Sequence, residues 1–220
     1  VTPERFNKLR DALAQRQPDL TIFADGVHKA HNVSAILRTC DAVGIDAMHA
    51  VSADGEIRQH HMMAGGSRRW VDLIVHRSTR AGLDTLERDG WTLAVADARD
   101  GASDYRDVDY TGKIAIILGA ELEGPSEAAR AAADIAIAIP MHGLVESLNV
   151  SVAAAVILFE AERQRRLAGL FGRCRLPDQY VERKLFEWAH PKIAQRCREM
   201  GIDYPALTDE GDLAENPFAR

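Results

Sequence analysis

Short apolar runs alternate along most of the chain with stretches in which apolar residues recur every three or four positions. The runs Leu20–Phe23, Ala47–Val51, Val71–Val75, Thr92–Ala96, Ile114–Leu118 and Ile135–Ile139 are brief and rich in β-branched residues, the pattern of strands buried on both faces. Between them the helical period predicts helices over about 33–43, 80–89, 125–132 and 148–168. Such alternation builds a parallel sheet, here of six strands, covered by helices. Two helical segments stand outside it: 3–16, which ends before Pro18, and 178–200, which Pro191 must break or kink. Leu167–Leu176 reads as a linker, with Gly169, Gly172 and Pro177 as breakers. The expected organisation is an N-terminal helical extension (1–18), an α/β domain (19–168) and a C-terminal helical extension (169–220).

Composition narrows the class. The 220 residues, 46% of them hydrophobic, suffice for a buried core. Mean hydropathy is −0.20, and no apolar run approaches the roughly 20 residues that span a bilayer. The opening Val1-Thr2-Pro3-Glu4-Arg5-Phe6 lacks the basic start and apolar stretch of a signal peptide, so a soluble cytoplasmic protein is expected. The cysteines, Cys40, Cys174 and Cys197, are odd in number and widely spaced, which offers no disulfide framework and no zinc pattern. His28/His31 and His60/His61 have no carboxylate or cysteine set to complete a ligand group, so no metal is expected. A net charge of −6 excludes coating nucleic acid by bulk charge. A local basic stretch remains: Arg163, Arg165, Arg166, Arg173, Arg175, Arg183, Lys184, Lys192, Arg196 and Arg198, against Asp178, Glu182, Glu187 and Glu199. By itself it reads equally well as a solvated helix face.

Three segments carry possible chemistry. In His31–Gly44, Val33, Ile36, Leu37, Cys40 and Val43 form one stripe, Asn32 stands at an N-cap position, Gly44 at C′, and Arg38 lies off the stripe. In Ile114–Pro125 a strand runs into a turn where Gly119 and Gly124 permit close backbone approach, and Pro125 can begin a helix. It is neither a P-loop nor Gly-x-Gly-x-x-Gly. In Ile139–Ala153 a strand ends at Pro140, a loop carries Gly143, and a long helix starts near Ser147, a plausible N-cap whose free N–H groups suit an anion. Taken singly, each also reads as plain structure: an Arg38–Asp41 surface pair, an ordinary turn, a capped core helix.

In this order the three resemble the motifs of the SpoU branch of the SPOUT methyltransferases: Asn32 through Arg38-Thr39 to Gly44, then Leu118-Gly119-Ala120-Glu121 to Gly124, then Ile139-Pro140-Met141 with Gly143 and Ser147-Leu148-Asn149-Val150-Ser151. Ala14–Thr21, Val27–Asn32, Ser67–Val71 and the basic C-terminal region resemble the tRNA-acting members, so the likeness covers nearly the whole chain and weakens after about residue 200. It implies a six-stranded parallel α/β domain closed by a C-terminal deep trefoil knot, a topology rare among folds. It also implies a homodimer with the active site at the subunit interface. The implied cofactor is S-adenosylmethionine, held by the backbone around Ala96, Ala98, Gly119, Ile139, Met141, Ser147 and Leu148. Where the family carries Thr-His-Leu after the strand at Thr92, this chain has Ala96-Asp97-Ala98, so side-chain contacts there would differ.

The implied reaction is 2′-O-methylation of a ribose in tRNA, at the D-loop guanosine 18. Arg38 would be the essential catalytic residue, Asn32 would position Arg38 or the substrate, Glu121 would orient polar groups, and Ser147 and Asn149 would shape the cofactor and ribose sites. A neutral arginine at pH 7 costs roughly 7 kcal/mol or more, so a charged guanidinium gripping a phosphate is physically easier than a general base. Arg163, Arg165, Arg166 and Lys184, with the terminal regions 1–18 and 161–200, would hold tRNA phosphates. Two rivals stand beside this reading: a sister enzyme acting on rRNA or another tRNA position, and a non-catalytic RNA-binding protein of the same fold.

Overall fold

The apolar runs pair into one parallel sheet. Its strands are β1 (Leu20–Ala24), β2 (Ala47–Val51), β3 (Asp72–His76), β4 (Thr92–Ala96), β5 (Ser103–Asp104), β6 (Ile114–Leu118) and β7 (Ile135–Ala138), in the order β3-β2-β1-β6-β4-β7-β5. This computed structural model describes residues 1–52 and 69–218; His60, His61 and the Ser67-Arg68 pair lie outside the described residues. Among the described residues the sheet has seven strands, not six. The extra one, β5, is two residues long, too short to leave an apolar run, and pairs with β7 through Ser103 and Asp104.

Alternation of side chains across the strands makes two cores. Leu20, Ile22 and Ala24 of β1 and Ile114, Ile116 and Leu118 of β6 pack on one face with Val33, Ile36 and Leu37 of α2 (Ala30–Ala42) and Ala154, Ile157 and Leu158 of α5 (Val150–Leu167). Phe23 of β1 and Ala115 and Ile117 of β6 meet Leu83 and Leu86 of α3 (Thr79–Arg88) and Ala129 of α4 (Glu127–Ala132) on the other. Two-sided burial is why these strands lack a polar face.

Three helix starts differ from expectation. Lys29, not Asn32, stands at the N-cap of α2; Asn32 is in the first turn and buried, its side chain committed elsewhere. The N-cap of α5 is Asn149, whose Oδ1 accepts from the Ser151 N–H; Ser147 remains in the preceding loop. Likewise Ser126, just after Pro125, caps α4. Gly44 does occupy C′ beyond α2, with φ +83°.

By contact, residues Gln17–Leu170 form one unit, and Val1–Arg16 with Phe171–Arg220 another. The second unit contains α1 (Pro3–Ala14), α6 (Asp178–Ala189) and α7 (Pro191–Met200), the last two separated at Pro191 as the sequence predicts. Phe6, Leu9, Leu13, Phe186 and Trp188 are buried in it. Its terminal segment docks through Gly211, whose carbonyl pairs with His190 at 2.7 Å and whose Cα faces the Phe6 ring so closely that a Cβ would collide with it. Among the described residues no helix is long and apolar enough to cross a membrane.

Candidate active site

The carboxyl ends of β4, β6 and β7 open onto a cavity of about 460 Å³, within the ~300–1,000 Å³ of small-molecule sites and where open parallel sheets bind ligands. Its walls are the end of β4 with the residues that follow (96–98), the end of β6 with its turn (118–125), the end of β7 with residues of its loop (within 137–148) and the first turns of α5. All seven residues expected at the cofactor, Ala96, Ala98, Gly119, Ile139, Met141, Ser147 and Leu148, line this one cavity.

The turn after β6 is shaped by its glycines. A Cβ on Gly119 would lie 2.0 Å from the Pro125 nitrogen and 2.1 Å from the Gly124 carbonyl carbon, so only glycine lets the chain double back on itself. Ala120 and Gly124 close the turn with two reciprocal backbone hydrogen bonds. Its far end is held by Asp25, a buried carboxylate just beyond β1 that accepts from Ser126 N–H at 2.7 Å and from the Thr79 hydroxyl at 2.6 Å. Sequence reading missed Asp25; an acidic residue between a buried strand and Gly26 was its only signal.

Residues from all three motif segments meet at the edge of the cavity. Asn32, 1% exposed, donates through Nδ2 to Glu121 Oε1 at 2.5 Å, while its Oδ1 accepts from Asn149 Nδ2 at 3.2 Å. Asn149 Oδ1 in turn accepts from the Ser151 backbone and hydroxyl at 2.9 and 2.6 Å. The amide of Asn32 is therefore oriented from both ends, and it ties the Glu121 turn to the start of α5. Burial alone would raise the Glu121 carboxyl; the Asn32 hydrogen bond, its own backbone N–H and the charges of Lys29 and His28 outweigh that and bring it below the ordinary carboxylate value.

Charge on the walls is one-sided. Glu121, Glu123 and Glu146 line the cavity, together with Asp97, whose charge is offset by Arg130 at 2.8 Å, and no Lys, Arg or His stands among the described residues that line it. Such a pocket repels phosphate-rich nucleotides and suits a compact ligand bearing positive charge.

Arg38 is not brought to this cavity within one chain. It lies on the exposed face of α2, opposite the buried face carrying Asn32, and makes no hydrogen bond or ion pair among the described residues. Two expected phosphate-binding residues are corrected. Arg165 is fully buried: Nε donates to the Tyr110 carbonyl, Nη1 to Gln17 Oε1 and Asp19 Oδ1, and Nη2 to the Asp19 and Gly112 carbonyls. All five donors of its guanidinium are used inside the fold, so it pins the end of α5 to Gln17 and Asp19 just before β1 and to the 110–112 turn instead of meeting RNA. Lys184 is 7% exposed, its ammonium 5.6 Å from the Tyr180 ring centroid, and is packing, not surface. Arg163 and Arg166 are exposed but paired along α5 with Glu160 and Glu162.

Residues 19–159 match the SpoU rRNA methylase family, and residues 163–216 its C-terminal region. The chain belongs to the SpoU rRNA methylase family. Among its relatives, the Thermus thermophilus protein named tRNA (guanosine(18)-2′-O)-methyltransferase is 49% identical over 187 residues, covering 85% of this chain and 96% of that one. The crystal structure of the A. aeolicus TrmH/SpoU tRNA modifying enzyme superposes with a TM-score of 0.78 at 36% identity, covering 86% of this chain and 97% of the other. The SpoU methyltransferase AviRb from Streptomyces viridochromogenes, in complex with the cofactor AdoMet, gives a TM-score of 0.61 at 28% identity, covering 69% of this chain and 62% of that one. The SpoU family's methyltransferase chemistry thus falls on a chain whose cavity, turn and hydrogen-bonded amide are already in place.

Proposed function

We propose that the chain methylates the ribose 2′-hydroxyl of guanosine 18 in tRNA, with S-adenosylmethionine as donor. The observation that carries this reading is the Glu121–Asn32–Asn149 chain of hydrogen bonds at the rim of an acid-walled cavity. The name of the Thermus thermophilus relative supports the tRNA substrate, and the AdoMet complex of AviRb supports the donor.

The residues present fit that donor. Its sulfonium gives it a positive charge for the carboxylate walls, and the cavity is of small-molecule size. When bound, S-adenosylmethionine supplies an electrophilic methyl group. Gly119, Ile139, Met141, Ser147 and Leu148 would hold it, largely through backbone groups, with Ala96 and Ala98 closing one side. Asn32 keeps the Glu121 carboxylate and Asn149 fixed, so the rim facing the incoming ribose is rigid before substrate arrives.

Arg38 grips the phosphate beside the target ribose with its two-pronged guanidinium and so orients the 2′-oxygen. Because Arg38 is exposed in the single chain, the reading includes a second copy that brings it to the partner's cavity. The exposed apolar residues Val152 and Phe159 of α5 and Leu122, Leu144 and Val145 of the cavity loops support such a covered face. The family's trefoil knot, formed by the segment after β7, and a cytoplasmic location belong to the same proposal.

The test is to incubate the protein with S-adenosylmethionine and unmodified tRNA and map the product by mass spectrometry. A single 2′-O-methylguanosine at position 18 is expected; methylation elsewhere, or none, overturns the assignment. Arg38→Ala should lose methylation by at least a hundredfold while light scattering still shows a dimer. Near-normal turnover by that variant would remove Arg38 from the mechanism.

A further inference from the structure

Asp97 is a wall residue whose carboxylate is paired with a cation that does not itself line the cavity. Its Oδ2 accepts from Arg130 Nε at 2.8 Å, with side chains 16% and 34% exposed. Arg130, on α4, also lies against the turn after β6: a Cβ on Gly124 would sit 3.3 Å from Arg130 Nη2. The Asp97 backbone N–H, meanwhile, donates to the Ile137 carbonyl of β7 at 3.0 Å. One guanidinium thus spans two cavity walls, 96–98 and 119–124, at the loop level above the strands that carry them.

Neither member of the pair belongs to the hydrophobic cores. The core contact of α4 is Ala129, and its N-cap is made by Ser126, so both persist without the ion pair. The Asp97–Ile137 backbone bond likewise does not depend on the Asp97 side chain. Loss of the pair therefore releases the spacing between the two walls while leaving the sheet and helices supported.

We propose that Arg130 and Asp97 are a positioning pair for the cofactor: a strut that sets the width of the cavity and thereby the affinity for S-adenosylmethionine. This rests on the function proposed above. As a strut it acts on shape, so it treats the sulfonium donor and its thioether product, S-adenosylhomocysteine, alike. A pair acting by charge would instead separate the two, because only the donor carries the sulfonium charge.

The test is calorimetric, on the intact protein. Asp97→Asn, nearly isosteric, and Arg130→Met should each weaken S-adenosylmethionine and S-adenosylhomocysteine by about tenfold, and the double variant by about the same tenfold, since the partners act as one unit. Arg130→Lys should recover part of the loss. KM for tRNA should stay within about twofold of wild type, whereas general loosening of the fold would raise it too. Unchanged affinity in Asp97→Asn, multiplying losses in the double variant, or a changed ratio between the two ligands would overturn the strut. Failure of the wild type to bind S-adenosylmethionine would fall on the proposed function instead, so the two failures are distinguishable.

Discussion

Arg165 illustrates how far a residue's role depends on what surrounds it. A cation with no solvent exposure is tolerable only if every donor is met and a counter-charge is near, and Asp19 with four further oxygens supplies both. Arg165→Met should remove about 3–5 kcal/mol from unfolding stability, because Asp19 and three carbonyls lose their donor. A urea titration reads this as a lower midpoint at unchanged slope; a loss below about 1 kcal/mol would mean that water replaces the guanidinium at little cost. Asn32 is the counterpart at the site. It stands in a helix first turn, yet its amide serves tertiary partners instead of the helix end.

At the scale of elements, neighbouring strands β2 and β3 hold a histidine pair that no sequence feature marked. His49 Nδ1 and His76 Nε2 are 2.8 Å apart and the rings stack at 5.1 Å. Burial, then the neighbouring His76, lowers the His49 pKa from 6.5 to about 4, although Asp89 works the other way; burial lowers His76 as well. A depressed folded-state pKa means that protonation favours the unfolded chain. Stability should therefore be full above pH 6.5 and fall as pH drops from 6.5 towards 4, by about 3 kcal/mol for His49. Chemical denaturation across that range checks it, and His49→Asn should flatten the curve; an unchanged slope would show that another group titrates. The cavity is an assembly of elements in the same sense. Strand ends supply its floor, and the loops take their shape from Gly119, Asp25 and the capped starts of α4 and α5.

For the whole molecule, acidic net charge must coexist with binding to a polyanion. The burial of Arg165 and Lys184 and the pairing of Arg163 and Arg166 shift the expected phosphate contacts to the exposed basic residues of the second unit, Arg173, Arg183 and Lys192. Replacing these three by Ala should weaken tRNA binding and lower the slope of log K against log salt by about 0.9 for each phosphate that is no longer neutralised. Turnover at saturating tRNA should hold. Lys184→Ala should leave the salt slope unchanged; a reduced slope would restore it to the RNA surface.

Hydropathy patterning by itself determined the strand–helix alternation, six of the seven strands to within a residue or two, and the break at Pro191, because strand and helix periods are local properties of a chain. The motif residues were legible as well, and the seven expected cofactor contacts share one cavity. What only the tertiary structure decided were interactions between residues distant in sequence. Asn32 meets Glu121 and Asn149 across 89 and 117 positions, Asp25 meets Ser126 across 101, and Arg165 is met by Asp19 across 146. No period encodes those meetings: whether a polar side chain caps, binds or is buried depends on which partners the folded sheet delivers to it.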